Sequence, residues 1–140
     1  MDASLLFFLL AVLVVAILVL ITINLTKKHG AMFDKEAYQV NFLRIENSLQ
    51  PGNEASYAMV IIQGDKLLDK ALCEMGVQGR TMGDRMKKIG KEKFSELNKV
   101  WHAHKLRNQI AHDNNFQPDY KQAKNALATY KQALKDLGAI

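Results

Sequence analysis

From Ser4 to Thr26 the chain carries no charged side chain, and Leu5-Leu6-Phe7-Phe8-Leu9-Leu10 leads into Val, Ile, Leu and Ala through Ile23. At about 1.5 Å rise per residue, some 20 helical residues cover the roughly 30 Å hydrocarbon core of a bilayer. The rival reading is a cleaved signal peptide, which calls for a basic start, a shorter apolar run and a small-x-small cleavage site. Here Asp2 is the only charged side chain ahead of the run, and Asn24-Leu25-Thr26-Lys27 makes a poor cleavage site. Residues 1–26 are therefore expected to be a single, uncleaved transmembrane anchor. Lys27, Lys28 and His29 follow it with no basic side chain in front. The positive-inside rule then puts the N-terminus outside and the remainder in the cytoplasm, as a single-pass protein of the inner membrane.

After a juxtamembrane link at 27–33, residues 34–140 are enough for one core and too few for two. Asp34 can cap a first helix in which Tyr38, Phe42, Ile45 and Leu49 recur at helical spacing, and Pro51-Gly52 turns the chain. Asn53 opens a second helix with an apolar face of Tyr57, Val60, Ile61, Leu67, Leu68, Ala71 and Leu72. Gly64 interrupts that face, which points to a close helix contact, and Gly76 ends the helix. A short helix fits between Gly79 and Gly90. A fourth should begin near Lys91 to Phe94 and run through Leu97, Val100, Trp101 and Ile110 to His112 or Asp113. Pro118 fits the first turn of a last helix carrying Tyr120, Ala123, Leu127, Tyr130, Leu134 and Leu137 to Gly138. No segment alternates with period two. The expected fold is all-α: one transmembrane helix and a four- to five-helix bundle.

The single Cys73 cannot form an intramolecular disulfide, which suits a reducing compartment, and its place on an apolar helix predicts a packed thiol. Charge is unevenly spread. Residues 80–107 hold nine basic side chains (Arg80, Arg85, Lys87, Lys88, Lys91, Lys93, Lys99, Lys105, Arg107) against Asp84, Glu92 and Glu96, a surplus of +6. The rest, with ten basic and eleven acidic residues, stands at −1. Such a stretch suits a polyanion, or a solvated helix surface beside anionic lipid.

At the end of that stretch stands Arg107-Asn108-Gln109-Ile110-Ala111-His112. Arginine grips a phosphate with two donors at once, and histidine exchanges protons near neutral pH, so the pair is a minimal kit for cleaving a phosphodiester without a metal. Five residues put Arg107 and His112 about 140° apart around a helix, so the arginine's reach or a second copy of the chain must bring them together. Asn108 and His112, at i and i+4, share a face, and His104 lies one turn earlier on the same stripe. A metal site is not expected: His104 and His112 are eight residues apart, roughly 12 Å along the axis, and no cysteine or carboxylate completes a set. Trp101 is expected in the core rather than as a stacking platform.

The stretch Trp101-His102-Ala103-His104-Lys105-Leu106-Arg107-Asn108-Gln109-Ile110-Ala111-His112-Asp113 resembles the motif segment of HEPN domains, small helical bundles found in prokaryotic ribonucleases and toxins. Their hallmark is an arginine, a polar residue and then a histidine after four to six intervening positions on a late helix; Arg107, Asn108 and His112 match it at the shortest spacing. The resemblance spans roughly residues 34–138. It implies metal-independent cleavage of RNA, without cofactor, at a composite site across a homodimer. In that scheme His112 moves the proton, Arg107 stabilises charge on the phosphate, and Asn108 orients them. The basic residues Arg85, Lys87, Lys88, Lys91 and Lys105 bind and steer RNA. Some HEPN toxins carry a tyrosine two places after the histidine, modified by a partner; Asn114 stands there, so that regulation is not implied. Other HEPN domains are inactive and bind nucleotides or proteins. The alternative expectation is therefore a non-catalytic module at the inner membrane surface, engaging a nucleotide or a protein partner.

Overall fold

A computed structural model describes residues 3–27 and 33–140. The helices are α1 (Ala3–Lys27), α2 (Lys35–Asn47), α3 (Glu54–Glu74), α4 (Met82–Lys88), α5 (Leu97–His112) and α6 (Tyr120–Asp136), with one 3-10 turn at Lys91–Lys93. There is no strand among the described residues. The fold is all-α, and the chain divides into two compact units, Met1–Met32 and Phe33–Ile140. Most of the junction expected at 27–33, with the basic residues Lys28 and His29, lies outside the described residues.

In the first unit, α1 is apolar all round. Its Ala3–Ile23 stretch has a mean hydropathy of 3.4, none of it buried within the protein, and Phe7 and Phe8 are exposed. It is long and apolar enough to cross a membrane.

The second unit is a bundle centred on α3, which packs against α2, α4, α5 and α6. Local chemistry sets most of the helix ends. The Asp34 carboxylate accepts from the Ala37 N–H at 3.0 Å, and Asn53 caps α3 by accepting from the Ser56 N–H, each satisfying a donor the first turn leaves open. Between them Pro51 and Gly52 form the turn, closed by the Asn53 N–H on the Gln50 carbonyl at 3.1 Å. At the C-terminus of α6, Gly138 adopts φ +76°. The Ala139 N–H then returns to the Leu134 carbonyl and the Gly138 N–H to that of Lys135, a Schellman closure that a Cβ would strain. The core comprises Tyr38, Phe42 and Ile45 of α2, Val60, Ile61, Leu68 and Leu72 of α3, and Val100, Tyr130 and Leu134 of the last two helices.

Three expectations are corrected. The fourth long helix starts at Leu97, not near Lys91 to Phe94. Phe94 is extended and buried, and the N–H and hydroxyl of Ser95 both donate to Asp136, each at 2.7 Å, which holds this segment out of helical conformation. Pro118 precedes the last helix rather than joining its first turn. Asp119 is the better cap, accepting from the Gln122 N–H at 2.7 Å while its own N–H donates to the Gln122 side chain at 2.9 Å, a capping box. Cys73 is exposed rather than packed, because it points away from the Leu68–Leu72 face.

Gly64 does mark a close helix contact. A Cβ built there would lie 2.5 Å from Cδ2 of Tyr130, whose ring is fully buried. Gly64→Ala gains about 1 kcal/mol in helix propensity, but overpacking a filled core costs about 1–3 kcal/mol, and this ring is also held by its hydroxyl. The substitution should lower the denaturation midpoint of the full chain in micelles, followed by fluorescence of the single Trp101. An unchanged or raised midpoint would show that the ring moves freely.

Candidate functional site

Helix α3 carries one carboxylate into the core. Asp65, at i+4 from Ile61 and three before Leu68, is 4% exposed, a position where an unpartnered charge is strongly disfavoured. Three side chains from two other helices answer it. His104 Nδ1 of α5 lies 2.8 Å from Oδ1, the Tyr130 hydroxyl of α6 donates to Oδ1 at 3.3 Å, and Arg107 Nε of α5 sits 3.6 Å from Oδ2.

The donor and acceptor roles follow from what each group can do. A carboxylate only accepts, so His104 donates from Nδ1. Its Nε2 then accepts from the Asn108 amide nitrogen at 3.2 Å. The amide is oriented by its other end, where Oδ1 accepts from Arg107 Nη1 at 3.1 Å. The network thus runs from Asp65 through His104 and Asn108 to Arg107 and closes back on Asp65. No buried side-chain nitrogen or oxygen lacks a partner among the described residues. Burial, and after it the charge of Asp65, push the Tyr130 phenol well above its ordinary pKa, so it remains a donor.

This network forms one wall of a cleft of about 670 Å³. Arg107, Asn108 and His112 all line it, together with Lys66, Arg80, Lys87, Lys105 and Trp101. The sequence motif is therefore gathered at one place. Arg107 is 37% exposed, with its Nε towards Asp65 and part of the guanidinium open to the cleft. His112 is the last residue of α5 and exposed, where the helix dipole favours a cation. Asn108 and His112, one turn apart, both line the cleft, and the Asn108 amide engages His104, one turn earlier. Trp101 is half-buried, edge-on to the His104 ring at 6.2 Å, and belongs to both core and cleft.

The expected RNA-steering residues divide. Lys87 and Lys105 are exposed and line the cleft. Lys88 lines a shallower depression beside it, with Arg80 and Lys87, and Lys91 is exposed on the 3-10 turn. Arg85 departs from the expectation. It is 8% exposed and makes a two-pronged pair with Asp69, Nε to Oδ1 and Nη2 to Oδ2, each 2.8 Å. Its Nη1 donates to the Gly79 carbonyl. A guanidinium with its fork filled inside the protein staples α4 to α3 and is not free to steer RNA. Three acids also line the cleft: Asp65 and Asp69, each paired inside the protein, and Asp84, held below the usual carboxylate range by the hydrogen bond it accepts from Thr81.

Sequence reading did not single out Asp65, Lys66 or Tyr130 for the site; it counted Arg80 only within the basic stretch, and it placed His104 on the Asn108–His112 stripe without giving it a partner. The available signal was a carboxylate at position 65 in an otherwise apolar α3 stripe, which demands a partner.

Asp65→Ala strands the His104 N–H and the Tyr130 hydroxyl, each orphaned donor costing about 1–3 kcal/mol, so a loss of roughly 3 kcal/mol is expected. Asp65→Asn keeps an acceptor and should lose clearly less. Equal denaturation midpoints for the two variants would contradict the network. A second expectation concerns alkaline pH. Because the folded Tyr130 phenol resists ionisation, its contribution is intact below the unfolded tyrosine pKa of about 10. It is lost as pH climbs past that value, where the unfolded state binds fewer protons. Tyr38, raised by burial and by Glu74, acts in the same sense. Tyr130→Phe should therefore show a shallower alkaline loss of stability than the parent; an equal or steeper loss would refute the assignment.

Comparison of the chain with protein-family models, with curated proteins and with solved structures finds no match. The functional reading rests on the residues and geometry above.

Proposed function

We propose that this chain is a membrane-anchored, HEPN-like, metal-independent endoribonuclease acting on cytoplasmic RNA at a site completed by a second copy. One observation carries the reading: a single cleft gathers Arg107, Asn108 and His112 with Lys66, Arg80, Lys87 and Lys105. The exposed cations suit the phosphates of a single strand. His112 takes the proton of a ribose 2′-hydroxyl, the 2′-oxygen attacks phosphorus, and the bond to the 5′-oxygen breaks with a proton returned to the leaving group. A homodimer supplies two histidines, one as base and one as acid. Arg107 stabilises the charge that gathers on the non-bridging oxygens. Lys27 at the end of α1 and the basic residues Lys28 and His29 that follow it support a cytoplasmic bundle with the N-terminus outside.

A second reading is favoured by a specific observation: Arg107 and Asn108 are already tied to Asp65 and His104. On that reading the motif serves the fold, and the cleft of a non-catalytic module binds a nucleotide or a protein partner.

The deciding experiment incubates the full chain in nanodiscs with mixed-sequence single-stranded RNA and with tRNA, in EDTA. The parent is expected to cleave, and His112→Ala to lower the rate by about 10²–10⁴-fold, the usual contribution of a proton-transferring side chain. Cleavage of no RNA, or equal cleavage by parent and variant, would overturn the proposal. Tight RNA binding without cleavage would select the second reading.

A further inference from the structure

Among the described residues outside α1, the exposed large aliphatic side chains are Val40 and Leu43 on α2 and Met59 and Ile62 on α3. Val40 and Leu43 are 51% and 54% exposed, whereas Tyr38, Phe42 and Ile45 supply the core face of the same helix. Helix α2 is thus apolar on two sides, which a helix bordered only by water and its own core does not need.

Beside that outer face, α2 and α3 enclose a groove of about 410 Å³. Arg44, Lys66 and Lys70 line it with the amides Asn41 and Gln63, over a floor of Ile45 and Leu67, and no carboxylate lines it among the described residues. On α3 the positions 63, 66, 67 and 70 form one helical stripe. Arg44 reaches Asn41 at 3.5 Å, and Lys70 is shared with Glu74 at 3.6 Å across an exposed pair, an interaction weak enough to exchange for another anion. Cations over an aliphatic floor, next to exposed Val and Leu, fit an anionic headgroup that carries an acyl chain.

Connectivity names the occupant. Eight peptide links join Lys27, the last residue of α1, to Lys35, the first of α2. At full stretch they reach roughly 27 Å, less than the thickness of a bilayer with its headgroups. Helix α2 is therefore never far from the membrane that α1 is long and apolar enough to cross. We propose that the α2–α3 face docks on the anionic leaflet of that membrane, with Val40 and Leu43 entering the interfacial layer and Arg44, Lys66 and Lys70 taking lipid phosphates. The proposal does not depend on RNA cleavage. It gives the bundle a fixed orientation, and because Lys66 also borders the cleft, it sets the mouth of the cleft at the membrane edge.

The test uses the full chain with Cys73→Ser, so that an introduced cysteine is the sole site for a nitroxide label. One label goes at Leu43→Cys and one at Lys124→Cys on α6. In nanodiscs of phosphatidylglycerol and phosphatidylcholine, the label at 43 should be relaxed by lipid-dissolved oxygen and shielded from a water-soluble nickel chelate, with the label at 124 showing the reverse. Charge reversal of Arg44, Lys66 and Lys70 to Glu, or nanodiscs of phosphatidylcholine alone, should return the label at 43 to the aqueous pattern while circular dichroism stays unchanged. The proposal fails if the label at 43 is as open to nickel as the one at 124. It fails equally if labels at 43 broaden each other, which would make this face a contact between two copies, or if the lipid signature survives both charge tests.

Discussion

Burying Asp65 obliges three other side chains to stand where they do. The carboxylate leaves α3 inside the bundle and is met by His104 and Arg107 from α5 and by Tyr130 from α6. One acid thereby fixes the relative register of three helices. The constraint reaches back into the backbone, since the Tyr130 ring crosses α3 at Gly64, where a Cβ would collide. Each hydrogen bond adds only about 1 kcal/mol net, whereas an unmet buried donor costs about 1–3 kcal/mol. The network therefore acts mainly by making alternative packings expensive, while the bulk of the stabilisation comes from the aliphatic and aromatic core around it.

The same constraint shapes the cleft. Arg107 stands between the carboxylate behind it and the open space in front, and Asn108 links it to His104 through two hydrogen bonds. An arginine held at its Nε keeps part of its fork available in a preset direction, which suits recognition of a phosphate. Arg85 shows the contrasting case, with its donors used on Asp69 and Gly79. Two arginines of one basic stretch thus serve different ends, one structural and one facing the cleft. Net charge along the sequence cannot separate them, because the separation lies in which acid each one meets.

The helices were legible because their signals are local. Asp34, Asn53, Gly76 and Gly138 sit where caps and stops must sit, and the three-and-four spacing of Tyr38, Phe42 and Ile45, or of Leu127, Tyr130 and Leu134, marks buried faces. The start of α5 was not legible, because Ser95 is drawn to Asp136, forty-one residues further on. Pro118 misled because the reciprocal Asp119–Gln122 cap competes with it over one residue. At the site, the clustering of Arg107, Asn108 and His112 in one cleft could be anticipated from their helix. The partners of Asp65 could not, since His104 and Tyr130 lie thirty-nine and sixty-five residues away. A polar residue in an apolar stripe announces that a partner exists without saying which one.

The central claim is that Asp65 orders the chain of contacts that presents Arg107 to the cleft, and the His104 ring reports on it directly. Long-range ¹H–¹⁵N correlation of the full chain in micelles resolves which ring nitrogen carries the proton. The account predicts a proton on Nδ1, hydrogen-bonded to Asp65, and a bare Nε2 accepting from Asn108, with that pattern lost in Asp65→Ala, which leaves no acceptor. A proton on Nε2 in the parent, or a pattern unmoved by Asp65→Ala, would contradict it.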